Sequence, residues 1–62
     1  MKLFCVSSTI DDFIEGEEYQ TIYNGIEYRV VDESGAESIA DYDPDSGYIV
    51  AEFFNGDLVE FE

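Results

Sequence analysis

Glu18-Tyr19-Gln20-Thr21-Ile22-Tyr23-Asn24-Gly25-Ile26-Glu27-Tyr28-Arg29-Val30-Val31 is the stretch whose reading decides the fold. Tyr19, Thr21 and Tyr23 alternate with Gln20 and Ile22, the period-2 pattern of a half-buried strand. Asn24-Gly25 then predicts a tight hairpin, because a type I′ turn needs φ > 0 at both central positions. The return strand, Ile26 to Val31, puts Ile26, Tyr28 and Val30 on one face and Glu27, Arg29 and Val31 on the other. The same grammar extends in both directions. Leu3 to Val6 is a short β-prone run, Asp32-Glu33-Ser34-Gly35 a turn, and Glu37 to Tyr42 a strand of mediocre propensity. Ser34-x-x-Glu37 is also compatible with the cap of a short helix. Asp43-Pro44-Asp45-Ser46-Gly47 breaks the chain again. Tyr48 to Phe54 is strongly β-prone, Asn55-Gly56 is a second hairpin signal, and Leu58 to Phe61 closes the series.

Two readings stay open for Ser7 to Glu17. Ile10, Phe13 and Ile14 fall at helical spacing behind Thr9, with Gly16 as a stop; an irregular loop that pins Phe13 to the core fits equally well. Five or six short strands in 62 residues predict an all-β fold, a small antiparallel barrel. Its expected core is Leu3, Val6, Phe13, Tyr19, Ile26, Val30, Ile49, Phe53 and Phe61. Residues 1–62 form one domain, with no internal repeat, low-complexity tract or linker. A domain of this size buries only about 60% of its unfolded surface, so its core leaves a margin of about 3–5 kcal/mol. Cys5 is alone and the chain has no His, which excludes a disulfide and a zinc set.

Charge is the other dominant feature. Sixteen Asp and Glu stand against Lys2 and Arg29, a formal net charge of -14. Solubility asks for a net charge of only about 2–8 in a small domain, and self-repulsion on this scale is destabilising. Fourteen charges at one per ~1.7 Å occupy roughly 24 Å of B-DNA duplex. A folded chain of this length has a radius of gyration of about 10–11 Å, so its charge density matches a short piece of duplex. Disorder is the usual fate of so acidic a chain, but 45% hydrophobic and 16% aromatic residues at sheet-like spacing favour a fold. Screening by salt is expected to stabilise it. Two cations against sixteen anions disfavour direct binding to nucleic acid or to an anionic membrane. The apolar run at Met1–Val6 is too short for a signal peptide or membrane helix, and with a lone thiol this gives an intracellular expectation.

Phe13-Ile14-Glu15-Gly16-Glu17-Glu18-Tyr19, the hairpin after it, and Val31-Asp32-Glu33-Ser34-Gly35 together resemble the small SH3-like barrels of bacteriophage proteins. Those read approximately Phe-x-x-Gly-Lys-x-Tyr, a strand, then Asp-Asp-x-Gly and another strand. The likeness covers about half the chain and departs at Glu17, where such proteins usually carry Lys. It implies an SH3-like barrel with an accessory role in the cytoplasm of an infected bacterial host.

Other constellations point to weaker chemistry. Asp41-x-Asp43-x-Asp45-Ser46-Gly47-x-x-x-x-Glu52 has the ligand spacing of an EF-hand loop. Against it, glycine stands one position late, Pro44 intrudes, and the flanks read as strands. Cys5, between Phe4 and Val6, reads as a buried small hydrophobe. Without His or a substrate cleft, neither nucleophilic nor paired-carboxylate catalysis is expected, so the chain reads as a non-enzyme without cofactor or metal. Tyr23, Tyr42 and Tyr48 exceed what the core needs and are candidate interface anchors. The acids cluster at Asp11–Glu18, at Asp32–Glu37, at Asp41–Asp45 and at Glu52–Glu62. The leading expectation is a monomeric DNA-mimic inhibitor that blocks the basic groove of a host nucleic-acid-binding protein. Its partner-binding residues are Asp32, Glu33, Glu37, Asp41, Tyr42, Asp43 and Asp45. The competing expectations are an SH3-like protein- or peptide-binding module whose acidity serves only solubility and steering, and a calcium-binding domain.

Overall fold

In the computed structural model, which describes residues 1–62, the chain forms six strands and no helix: β1 Lys2–Ser8, β2 Glu18–Tyr23, β3 Tyr28–Val31, β4 Glu37–Asp43, β5 Tyr48–Glu52 and β6 Leu58–Phe61. Each strand pairs antiparallel with the next, and β1 also pairs with β6, so the meander closes into a barrel. Closure leaves no free edge for strand addition by another chain. The radius of gyration is 10.4 Å and the extents are 26 × 22 × 22 Å.

β1 serves two neighbours because it is bulged. Cys5 stands opposite Phe61 and Ser7 opposite Glu60, so Val6 is the extra residue. A bulge bends its strand and increases local twist. That turns the first half of β1 onto β2 and the second half onto β6, and it leaves Val6 only half-buried.

The interior is filled from every strand: Leu3, Cys5, Tyr19, Thr21, Val30, Ala40, Ala51, Val59 and Phe61, with Phe13 inserted from the segment between β1 and β2. The Phe13 ring meets Tyr19 edge-on at 4.9 Å and Phe61 at 5.2 Å. A six-stranded barrel is narrow, and large rings fit only where small residues face them; Ala40, Ala51, Cys5 and Thr21 provide that room. The Thr21 hydroxyl donates to the Tyr19 carbonyl at 3.0 Å, and no buried side-chain nitrogen or oxygen lacks a partner. Ile49 and Phe53 pack against this core half-buried.

Ile26 departs from the expected core. It is 83% exposed, because the first hairpin is not a type I′ turn on Asn24-Gly25. Gly25 has φ +90°, whereas no non-glycine residue has positive φ, so Asn24 cannot take the first I′ position. Tyr23 instead pairs with Tyr28. The Asn24 side chain accepts from the Ile26 and Glu27 N–H groups, and Ile26 sits at the tip. The second Asn-Gly shifts in a related way. Phe53 N–H donates to the Asp57 carbonyl and Gly56 N–H to the Phe53 carbonyl, which gives a three-residue tip with glycine last. β5 therefore ends at Glu52, and Phe54 projects into solvent.

The β3–β4 hairpin repeats that three-residue tip, with Asp32 N–H to the Ala36 carbonyl and Gly35 N–H to the Asp32 carbonyl. Ser34-x-x-Glu37 thus spans the hairpin tip and the first residue of β4 rather than a helix cap, and after β1 ends at Ser8 the stretch to Glu17 takes the loop alternative. The loop is anchored by Thr9, whose main chain and hydroxyl bond Leu58, and by Gly16 N–H to the Cys5 carbonyl.

Candidate functional site

Cross-strand partners share a face, so the register fixes what the barrel displays. On β4 the outward positions are Glu37, Ile39, Asp41 and Asp43. Arg29 of β3 lies opposite Ile39, and Ile22 of β2 lies opposite Arg29. On the other side of β4, Asp41 faces Val50 and Asp43 faces Tyr48. An open groove of about 450 Å³ runs over this part of the sheet, lined by Ile39, Asp41, Tyr42, Asp43, Pro44, Val50 and Glu52. Outward residues on one strand are about 6.7 Å apart, so Asp41 and Asp43 form a short row of anions facing Val50 and Tyr48.

The seven residues expected to bind a partner divide into two groups. Asp41, Tyr42 and Asp43 line the groove, and Asp45 follows in the adjoining turn, where its N–H donates to the Asp43 carboxylate at 3.0 Å. Asp32, Glu33 and Glu37 belong to the opposite end of β4. Each of these three already has an intramolecular role. Asp32 accepts from the Ser34 hydroxyl, the Ser34 N–H and the Ala36 N–H. Those bonds, the Ser34 hydroxyl foremost, hold its carboxyl below the usual range against partial desolvation. Glu33 accepts from the Tyr19 hydroxyl at 3.1 Å, and that hydroxyl accepts from the Ile14 N–H at 2.7 Å. Burial, ahead of the charge of Glu33, raises the Tyr19 hydroxyl above its ordinary value. Glu37 shares Arg29 with Glu27, at 3.8 Å and 3.1 Å.

These two ion pairs are exposed and worth only ~0–1 kcal/mol each, but they decide the charge distribution. Arg29 is held by Glu27 and Glu37, and fourteen of the sixteen carboxylates have no cationic partner. A second acidic end emerges that strand reading could not place. The Glu33 N–H donates to the Asp12 carbonyl, so the Asp11-Asp12 turn lies beside the Asp32-Glu33 hairpin although about twenty residues of chain separate them.

Other candidate residues fall as follows. Tyr23 is half-exposed and tilted against Tyr28 with ring centres 4.5 Å apart; Tyr48 is half-buried and Tyr42 is exposed. Cys5 is fully buried, and burial, followed by the charge of Glu15, pushes its thiol up, which disfavours the reactive thiolate. The Asp41–Glu52 spacing does not gather into a calcium loop: no three His, Cys, Asp or Glu side chains converge to hold a metal ion. Two strands carry Asp41, Asp43 and Glu52, while the Asp43 carboxylate is engaged by the turn.

Ile39, Pro44, Val50 and Glu52 were absent from the expected site. Alternation alone could have placed Ile39 and Val50 outward once β4 and β5 were registered, since each flanks a buried alanine by one position. No family model, curated protein or solved structure matches the chain.

Proposed function

We propose that this chain is an acidic binding protein that occupies the basic nucleic-acid groove of a partner protein, with its carboxylates in the place of phosphates. The observation that carries this reading is the unpaired charge: fourteen carboxylates without a cation on a barrel 26 Å long. The same charge fills roughly 24 Å of duplex at one per ~1.7 Å. Self-repulsion makes this density a burden for a marginal fold, and a basic groove is the surface that would offset it. The closed barrel supports the reading in a second way, since recognition without a free strand edge must run through side chains.

The resemblance to phage SH3-like proteins favours a partner among the nucleic-acid-binding proteins of an infected bacterium, met in its cytoplasm. Charge at the β4–β5 face supplies the attraction and steers encounter. The competing reading, a protein-binding module without mimicry, draws on the exposed Ile22, Ile39 and Tyr42 side chains.

Two charge-neutralised variants test the assignment of the face. Asp41→Asn, Asp43→Asn and Asp45→Asn together keep shape and the turn acceptor at position 43. They should weaken a captured partner by about 1 kcal/mol or more for each well-placed pair. Asp11→Asn, Asp12→Asn and Glu15→Gln remove the same charge from the opposite end and should change affinity little. Equal losses from both would mean that only bulk charge matters.

A further inference from the structure

A phosphate backbone presents no row of aliphatic side chains, yet this acidic face does. Ile22 and Ile39 flank Arg29 in one cross-strand row, each 54% exposed. Val50 stands beside Asp41 in the next row. The groove brings Ile39, Val50, Pro44 and Tyr42 together with the carboxylates of Asp41, Asp43 and Glu52. The chain's own cations do not serve these carboxylates, since Arg29 is held by Glu27 and Glu37 and Lys2 lies on β1 opposite Gln20. An apolar floor and a rim of carboxylates without a cation describe the complement of a long aliphatic stem that ends in a positive charge.

Lysine and arginine both have such a stem. A planar guanidinium also pairs with carboxylates through two parallel bonds and is less strongly hydrated than an ammonium. We infer that the β4–β5 groove seats an arginine side chain of the partner protein, its stem over Ile39 and Val50 and its guanidinium between the Asp41 and Glu52 carboxylates, with Asp43 adding negative charge farther along β4. This rests on the reading of the face as a surrogate for nucleic acid, and it adds the residue type that the partner must present. It also explains how one acidic surface selects among basic grooves: charge attracts them all, whereas the apolar floor rewards only a side chain that lies along it.

The test is a titration of the isotopically labelled protein with a capped peptide of alternating arginine and glycine, alongside its lysine and citrulline counterparts at equal ionic strength. The arginine peptide should shift the amide signals of Ile39–Asp43 and Val50–Glu52 ahead of those of Asp11–Glu18. The lysine peptide should bind several-fold more weakly, and the citrulline peptide should leave the spectrum unchanged. Ile39→Thr with Val50→Thr keeps every charge and both β-branched side chains. It should weaken the arginine peptide about fourfold for each CH₂ that no longer covers the stem. If that variant does not fold, Asp41→Asn with Glu52→Gln takes its place, with Asp11→Asn and Asp12→Asn as the charge-matched control that should bind as the parent does. Shifts spread evenly over all acidic clusters, or undiminished binding by the groove variant, would overturn the arginine seat. Either result leaves intact a partner's competition with DNA, which separates this failure from failure of the mimic reading.

Discussion

Tyr19→Phe removes one oxygen from the point where three segments meet. The hydroxyl is the acceptor for the Ile14 N–H at 2.7 Å and the donor to Glu33 at 3.1 Å, on a residue that is almost wholly buried. The ring stays, so its edge-on packing with Phe13 stays too. The substitution takes away the acceptor for a main-chain N–H in the loop that delivers Phe13 to the core. Leaving this part-buried donor without its partner costs up to about 1–3 kcal/mol, a large part of the ~3–5 kcal/mol that a core of this size supplies. At roughly 4–8 °C per kcal/mol for a small domain, the melting temperature should fall by about 5–20 °C. Thermal melts and urea titrations of parent, Tyr19→Phe, Glu33→Gln and the double variant measure it. The cycle should show Glu33→Gln costing less than Tyr19→Phe, because the carboxylate of Glu33 is exposed whereas Tyr19→Phe takes the acceptor from a part-buried main-chain N–H. A Tyr19→Phe loss below about 0.5 kcal/mol, the range of ordinary surface substitutions, would refute the anchoring role of the hydroxyl. The raised hydroxyl pKa adds a pH test. Its contribution is complete below the ordinary tyrosine value of about 10 and is lost as pH rises through the higher folded value, so the parent's stability should decline in that window more than the variant's.

Phe13→Ala should cost about 3–5 kcal/mol and leave the chain largely unfolded at low salt by circular dichroism, since Phe13 packs between Tyr19 and Phe61. Ile26→Ser should change stability by no more than about 0.5 kcal/mol in urea titrations, as a loop-tip position demands; a loss of several kcal/mol would return Ile26 to the core. Asp32→Ala should lower the melting temperature at neutral pH by removing three hairpin hydrogen bonds. Because the folded Asp32 pKa is depressed, that deficit should be full above about pH 4 and shrink as pH falls through the folded value.

The strand count, the loop insertion of Phe13 and most of the core were legible because alternation and turn chemistry agree along most of this chain. The failures have specific causes. Asn-Gly is a strong signal for a tight hairpin, but its I′ form requires the Asn to adopt positive φ, and at both sites only the glycine does. That single difference moved Ile26 from core to tip and shortened β5. Ala40, Ala51 and Thr21 were missed as core residues because hydrophobicity ranks them low; what selects them is the narrow bore of a closed barrel, a property of topology. For the candidate site, sequence reading named Asp41, Tyr42 and Asp43 by local clustering, and the structure places them along one groove. It could not anticipate that Arg29 would hold Glu37, or that Glu33 would be engaged by Tyr19, because both interactions cross strands. The apolar half of the groove stayed invisible for the same reason, since Ile39 and Val50 become neighbours of the carboxylates only once β4 and β5 are in register.

The central claim is that the carboxylates stand in for the phosphates of nucleic acid, and direct competition tests it. The immobilised chain, loaded with a basic partner captured from bacterial lysate, is challenged with a short duplex DNA of about 20 base pairs, long enough to match the charged span at ~1.7 Å per charge, at fixed ionic strength. The account predicts that duplex releases the partner and that the partner's affinity falls steeply from low to physiological salt, as phosphate contacts do. A partner that stays bound while it also takes up the duplex in a ternary complex would contradict it.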